Sequence, residues 1–421
     1  MSGLSQDGGL LLPLRERPFR LLASGRLLMY FANAMAPIVL AFAVLDLTGS
    51  KTDLGIVVGA RSVANVVLLL AAGVVADRFS RTVILRGSAC AAAAVQGAIA
   101  VSMLLDFTTI PLLILLSVLN GALSAVSMPA SAALTPQTVP AKLLRPANAL
   151  MRMAINLGMI IGAALGGVLV SVVGPGWGLA CNAVAFLGAA LCYFGLRIPA
   201  GKAEPTERPH PLRELREGWQ EFTSRAWVWV VVAQFMVVNA VVAGGVYVLG
   251  PAVADETFGR TGWGVVLAAQ MAGAVAGGFV AARSRAKHAL RIGVAAVALE
   301  ALPLAVLAEA PGVLLLTVTM FVNGVAMEQF GVAWEVSLQE NVPEDRLARV
   351  YSYDALGSFI ALPIGEMAAG PVADRAGVDT TLLAGAALVV VATGAALCSR
   401  EVRQLATRVH KEPKEPEVAG A

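Results

Sequence analysis

The chain has 421 residues, of which 57 % are hydrophobic and 14 % charged, with a net charge of +3 and a mean hydropathy of +0.75. A soluble chain carries about 25 % charged residues, so a soluble enzyme and a disordered protein are excluded, and the small net charge argues against a nucleic-acid partner. Roughly 240 apolar positions would supply about twelve bilayer-spanning helices of about 20 residues each.

Long apolar runs bounded by charges fall at about 20–47, 53–76, 82–105, 109–135, 146–173, 176–197, 227–254, 261–282, 289–308, 312–338, 347–372 and 378–399. The expected fold is an all-α membrane protein, because lipid leaves no water to satisfy an open backbone. Twelve transmembrane helices are predicted, in two six-helix bundles at 1–197 and 227–400, joined by a linker at 198–226 and followed by a disordered tail at 401–421. With the N-terminus inside, the inner segments hold 26 Lys and Arg and the outer loops three, Lys51, Arg260 and Arg375. Basic residues favour the cytoplasmic side, so both termini are expected there.

Along the chain, Asn33 lies in the first span and Arg61 inside the second. The loop Gly73-Val-Val-Ala-Asp77-Arg78-Phe-Ser-Arg81 follows. Gly73 allows close backbone approach, Asp77 suits the start of a neighbouring helix, and Arg78 and Arg81 hold the inner face. Asn120 lies in the fourth span, and Gly158, Gly162 and Gly166, followed by Gly167, form one smooth face of the fifth. In the linker, Leu212, Leu215, Trp219 and Phe222 recur at helical spacing, which reads as an amphipathic helix on the inner surface or as a simple connector. Gln234 and Asn239 lie in the seventh span, Glu300 in the ninth, Asn323, Glu328, Gln329 and Trp334 in the tenth, and Glu366 in the eleventh. Arg152, Glu335 and Asp354 lie near inner ends and are candidates for an inner gate. The four cysteines sit in apolar runs without metal-ligand spacing, and the three histidines fall in polar segments, so no metal and no cofactor is expected.

The halves echo each other at a shift of 203 residues. Asn120-Gly121 matches Asn323-Gly324, Val139-Pro140 matches Val342-Pro343, and Gly162 and Gly167 match Gly365 and Gly370. The loop from Gly73 to Arg81 resembles the signature loop of the major facilitator superfamily. The stretch Leu119 to Gly167 resembles its branch of twelve-span drug exporters, which includes macrolide-efflux and siderophore-export proteins. The residues that carry this are Asn120-Gly121, Pro129-Ala130, Leu134-Thr-Pro-Gln-Thr-Val-Pro140, Ala147-Asn148-Ala149-Leu150 and Gly162-Ala-Ala-Leu-Gly-Gly167.

The resemblance implies two pseudo-symmetric bundles with a central cavity and a latch role for Gly73, Asp77, Arg78 and Arg81. It also places the second and eleventh spans face to face, so Arg61 and Glu366 are candidates for an outer gate, paired or each contacting water or backbone. It makes Glu328 the first candidate for proton coupling, or else a substrate-contacting or structurally paired carboxylate. Glu300 ranks lower, because the ninth span is peripheral in this fold. Two departures stand out: Ser117 replaces an arginine of many proton-coupled members, and Ala163 replaces a proline of the exporter signature. Cavity candidates are Asn33, Asn120, Gln234, Asn239, Asn323, Gln329 and Trp334, although most single amides in such helices serve packing.

The expected function is a monomeric secondary transporter of the bacterial cytoplasmic membrane. It would export a lipophilic drug or secreted natural product by proton antiport. Nutrient uptake and a non-transporting receptor on the same scaffold are the rivals.

Overall fold

The structure is a computed structural model that describes residues 11–78, 80–132, 134–196, 219–284, 286–309 and 312–405. Every regular element among them is helical. The first half holds α1 (Arg17–Thr48), α2 (Lys51–Arg78), α3 (Arg81–Leu104) and α4 (Ile110–Ala132). A continuous helical stretch then runs over Leu144–Phe194. It breaks at Gly174, whose φ of 82° is a left-handed conformation that favours glycine, and Pro175 restarts the helix. The two arms, α5 before the break and α6 after it, run in opposite directions along α1. Gly158 and Gly166 of α5 rest on Leu27 and Met35, whereas Gly178 and Gly188 of α6 meet Val39 and Leu28.

The second half begins with α7 (Ala226–Gly244), which continues through a π turn at Gly245–Leu249 into Gly250–Glu256. Next come α8 (Gly259–Arg283) and α9, the latter made of Ala289–Ala296 and Ala301–Ala308 joined by a 3-10 turn at Val297–Glu300. Then follow α10 (Val313–Asn341), α11 (Glu344–Phe359 and Ala361–Ala376), α12 (Val378–Cys398) and the short α13 (Arg400–Gln404). Ten helices among the described residues are long and apolar enough to cross a membrane, with α5 and α6 taken as one and α2 not among them.

Glycine sets the helix spacing in both halves. A methyl group built at Gly162 would overlap the Phe31 carbonyl of α1, and one at Gly365 would overlap the Ala240 carbonyl of α7. The same holds for the Asn-Gly pairs: Gly121 rests on the Arg61 carbonyl and Gly324 on the Gln270 carbonyl. The repeat read at a shift of 203 residues is therefore a repeat of close helix contacts, the way helices approach without a hydrophobic force between them.

The linker section 198–218, with Leu212 and Leu215, and the tail 406–421 lie outside the described residues. The described end of the linker docks on the second half. Trp219 and Phe222 pack on Tyr353 at 5.6 and 5.8 Å between ring centres. Glu221 accepts from both Arg225 and Arg346. Burial alone would raise the Glu221 carboxyl, but those two guanidinium hydrogen bonds outweigh it and hold the group below the usual carboxylate range.

Candidate functional site

A cavity of about 280 Å³ lies between the halves, lined by α1, α2 and α5 on one side and α7, α8 and α11 on the other. Its walls are mostly apolar, with Pro37, Ile38, Val58, Met159, Trp263, Leu267 and Met271 among them. The polar groups are few: Asn33, Arg61, Ser62, Tyr247, Gln270 and Glu366. That balance, apolar walls with a small number of placed polar groups, is the usual character of a small-molecule site. Pro37 lies within α1 beside the cavity and lacks the N–H that would bond the Asn33 carbonyl one turn back.

Arg61 and Glu366 face the same space but do not meet as an ion pair within 4.0 Å. Arg61 instead donates from Nε to Asn120 Oδ1 at 3.0 Å. Glu366 is 5 % exposed, one of its carboxylate oxygens has no hydrogen bond, and Arg61 and Ser62 act on it from α2.

The second half repeats this contact with different chemistry. Gln270 of α8 donates from Nε2 to Asn323 Oδ1 of α10 at 2.9 Å. In the first half Gln96 of α3 lines a small pocket with Asn120, Arg61 and Ser117. In the second, Glu300 of α9 faces Asn323 and is 5 % exposed. Ser117 and Arg61 line the same small pocket.

The other expected residues separate. Asn33 lines the cavity while donating to its own Met29 carbonyl at 2.9 Å. Gln234 bonds Thr393 at 3.0 Å, Asn239 bonds the Ser358 carbonyl at 2.9 Å, and Gln329 bonds the Gly277 carbonyl at 2.6 Å, all between helices of the second half. Glu328 packs against Gly277 and Gly278 of α8 and is not among the cavity-lining residues. Trp334 donates to Asp354 at 2.9 Å and lies against Trp227, and Glu335 accepts from Tyr351 at 2.7 Å. Arg152 is exposed, and among the described residues nothing joins it to Glu335 or Asp354. The side chains of Gly73, Asp77, Arg78 and Arg81 lie outside the described residues.

The end of the bundle away from the termini is tied across the halves. Arg260 of α8 holds Asp46 of α1 with two hydrogen bonds, one of them 2.9 Å, and Asp255 at 2.7 Å. Its guanidinium lies 5.0 Å from the Phe42 ring. Thr52 donates to Asp374 at 2.9 Å and Ser171 meets Thr261 at 2.6 Å. Asp374, near the end of α11, is therefore a contact between halves. Gly167 and Gly264 bring α5 and α8 together beneath these bonds. Exposed ion pairs contribute about 0.2–1 kcal/mol each, so this seal is a set of weak contacts that can part.

Sequence reasoning passed over Asp46, Tyr247, Trp263 and Gln270. Asp46 sits unremarked at the end of the first apolar run, Arg260 reads as an ordinary outer-loop charge, and one glutamine among many amides carries no signal until Gly324 is seen to rest on its carbonyl.

Comparison with known proteins adds a family to this geometry. A family model described as the Major Facilitator Superfamily matches residues 22–366. The multidrug efflux pump Tap of Mycolicibacterium fortuitum is 25 % identical over 383 residues, covering 88 % of this chain and 92 % of Tap. The enterobactin exporter EntS of Shigella boydii is 26 % identical over 246 residues, 58 % of each chain. Among solved structures, the nucleoside transporter NupG aligns with a TM-score of 0.69 at 16 % identity, over 90 % of this chain and 98 % of NupG, a likeness of fold alone.

Proposed function

The chain belongs to the Major Facilitator Superfamily, and from that premise we propose that it exports a lipophilic drug or secreted natural product by proton antiport. It would work by alternating access, with two six-helix halves and twelve spans rocking about the central cavity. The observation that carries this reading is the cavity itself: apolar walls with one arginine and one carboxylate, enclosed between the halves behind a seal of weak polar contacts. Sugars and other highly hydroxylated molecules need many hydrogen bonds, which these walls do not offer. The whole-length similarity to a multidrug efflux pump supports export.

The basic residues, 26 against three, support both termini on the cytoplasmic side of a bacterial plasma membrane. In that orientation the Arg260–Asp46 seal closes the outer mouth, and Arg61 and Glu366 lie behind it. The proposed partners are the substrate, protons and lipid.

The test is drug sensitivity on expression in a pump-deficient bacterium. Resistance that collapses with a protonophore is the expected result. A growth requirement for one nutrient would replace export with uptake. Ligand binding with neither phenotype would replace transport with reception.

A further inference from the structure

We propose that Glu300 is a membrane-buried proton-binding site, joined to the cavity through the side chains of Asn323 and Gln270. It deepens the antiport reading above, but its first test does not depend on that reading.

Glu300 closes the 3-10 turn Val297–Glu300, which interrupts α9 at mid-length. A local change of helix type within a long helix often marks a functional position. Asn323 is fully buried and accepts from Gln270 at 2.9 Å. Its amide nitrogen faces the Glu300 carboxyl without closing a hydrogen bond within 3.5 Å. Gln270 in turn lines the cavity. A file of polar side chains therefore runs from the cavity wall toward a carboxyl in the apolar interior, with one open step between Asn323 and Glu300. A second side chain spans the same gap: Tyr247, in the π turn of α7, lines the cavity within electrostatic reach of both Glu300 and Glu366.

The surroundings select a proton over the alternatives. Tyr247 of α7 and Asn323 of α10 are the groups that face Glu300, and no basic side chain acts on it among the described residues. A structural ion pair is thereby excluded within that set. A metal ion needs several oxygen ligands, but Asn323 turns its nitrogen to Glu300 and commits its oxygen to Gln270. A lone charged carboxylate costs several kcal/mol at this depth, and binding one proton on a carboxylate oxygen removes that cost. No electron moves in the step. The first half holds Gln96, which cannot take up a proton in this way, beside its own asparagine. The site therefore belongs to one half only.

The test uses the full chain in lipid nanodiscs and follows protonated-carboxyl infrared signals against pH. E300Q should remove one titrating signal and E366Q a different one. N323A should move the midpoint of the Glu300 signal, a change that a packing role alone would not produce. An unaltered signal set in E300Q, or a Glu300 signal that stays fixed with pH, overturns the proposal. Should E300Q fail to fold, E300D serves instead, and an unshifted midpoint there also overturns it. A second arm measures ethidium efflux from proteoliposomes under an imposed pH gradient. E300Q should lower it about tenfold or more, the size of a lost coupling, while gradient-free ethidium exchange persists. Undiminished gradient-driven efflux in E300Q contradicts the proposal. Wild-type chain that moves no ethidium counts against the antiport reading, and the infrared arm then decides Glu300 alone.

Discussion

The two halves make the same contact, charged in one and neutral in the other. In the first, Arg61 reaches from the cavity to Asn120, with Gln96 beyond. In the second, Gln270 reaches from the cavity to Asn323, with Glu300 beyond. The glycines after both asparagines rest on the backbone carbonyls of Arg61 and Gln270. Duplication has kept the geometry and moved the charge: cationic at the cavity wall in one half, acidic in the interior of the other. A helix contact that needs only small residues and an amide tolerates such exchange, because its energy comes from close approach rather than from either charge.

The largest effect is expected where the charge faces the cavity. R61A removes both the Asn120 bond and the cavity's positive charge, and transport should fall about tenfold or more, the range of a lost coupling. R61E and E366R should each abolish transport, and the double variant should recover part of it; no recovery would separate the two residues functionally. Flux in proteoliposomes reads both results. Next in size, G121A and G324A each force a methyl group onto a backbone carbonyl. Overpacking of this kind costs about 1–3 kcal/mol, and thermal unfolding should show similar losses in both halves. A large loss in one and none in the other would break the equivalence.

A smaller effect is expected at the seal. R260A removes a pair worth about 1 kcal/mol or less, so the population with an accessible far mouth should rise by a factor of about five at most, read by labelling of a cysteine placed at Ala34. The smallest effect belongs to the linker. The Glu221 carboxyl is held below its usual range, so its clamp on Arg346 is complete above that range and is lost as pH falls through the lowered value. Trp219 fluorescence should report that loss at acid pH, and E221Q should remove the transition.

Much of the fold was legible because a bilayer demands long apolar runs and basic flanks. The repeat was legible at Asn120-Gly121 and Asn323-Gly324, where packing leaves a fixed pair of letters. The site was legible only where a charge stood out: Arg61 and Glu366 were found because each is costly in lipid, yet the bond between Arg61 and Asn120 was not, since spacing does not say which amide a guanidinium will choose. Glu300 was visible but ranked low, because its helix lies at the periphery. What raises it is Asn323, an inward-facing amide that links it to Gln270, and such a link exists only in three dimensions. Glu328 ranked first in sequence, and its side chain packs against Gly277 and Gly278.

For the cavity to open outward, the proposed motion must part the halves at the Thr52–Asp374 contact. In a chain cleared of Cys90, Cys181, Cys192 and Cys398, cysteines placed at Thr52 and Asp374 should form a disulfide that stops transport, and reduction should restore it. A tethered chain that transports at the untethered rate would contradict the account.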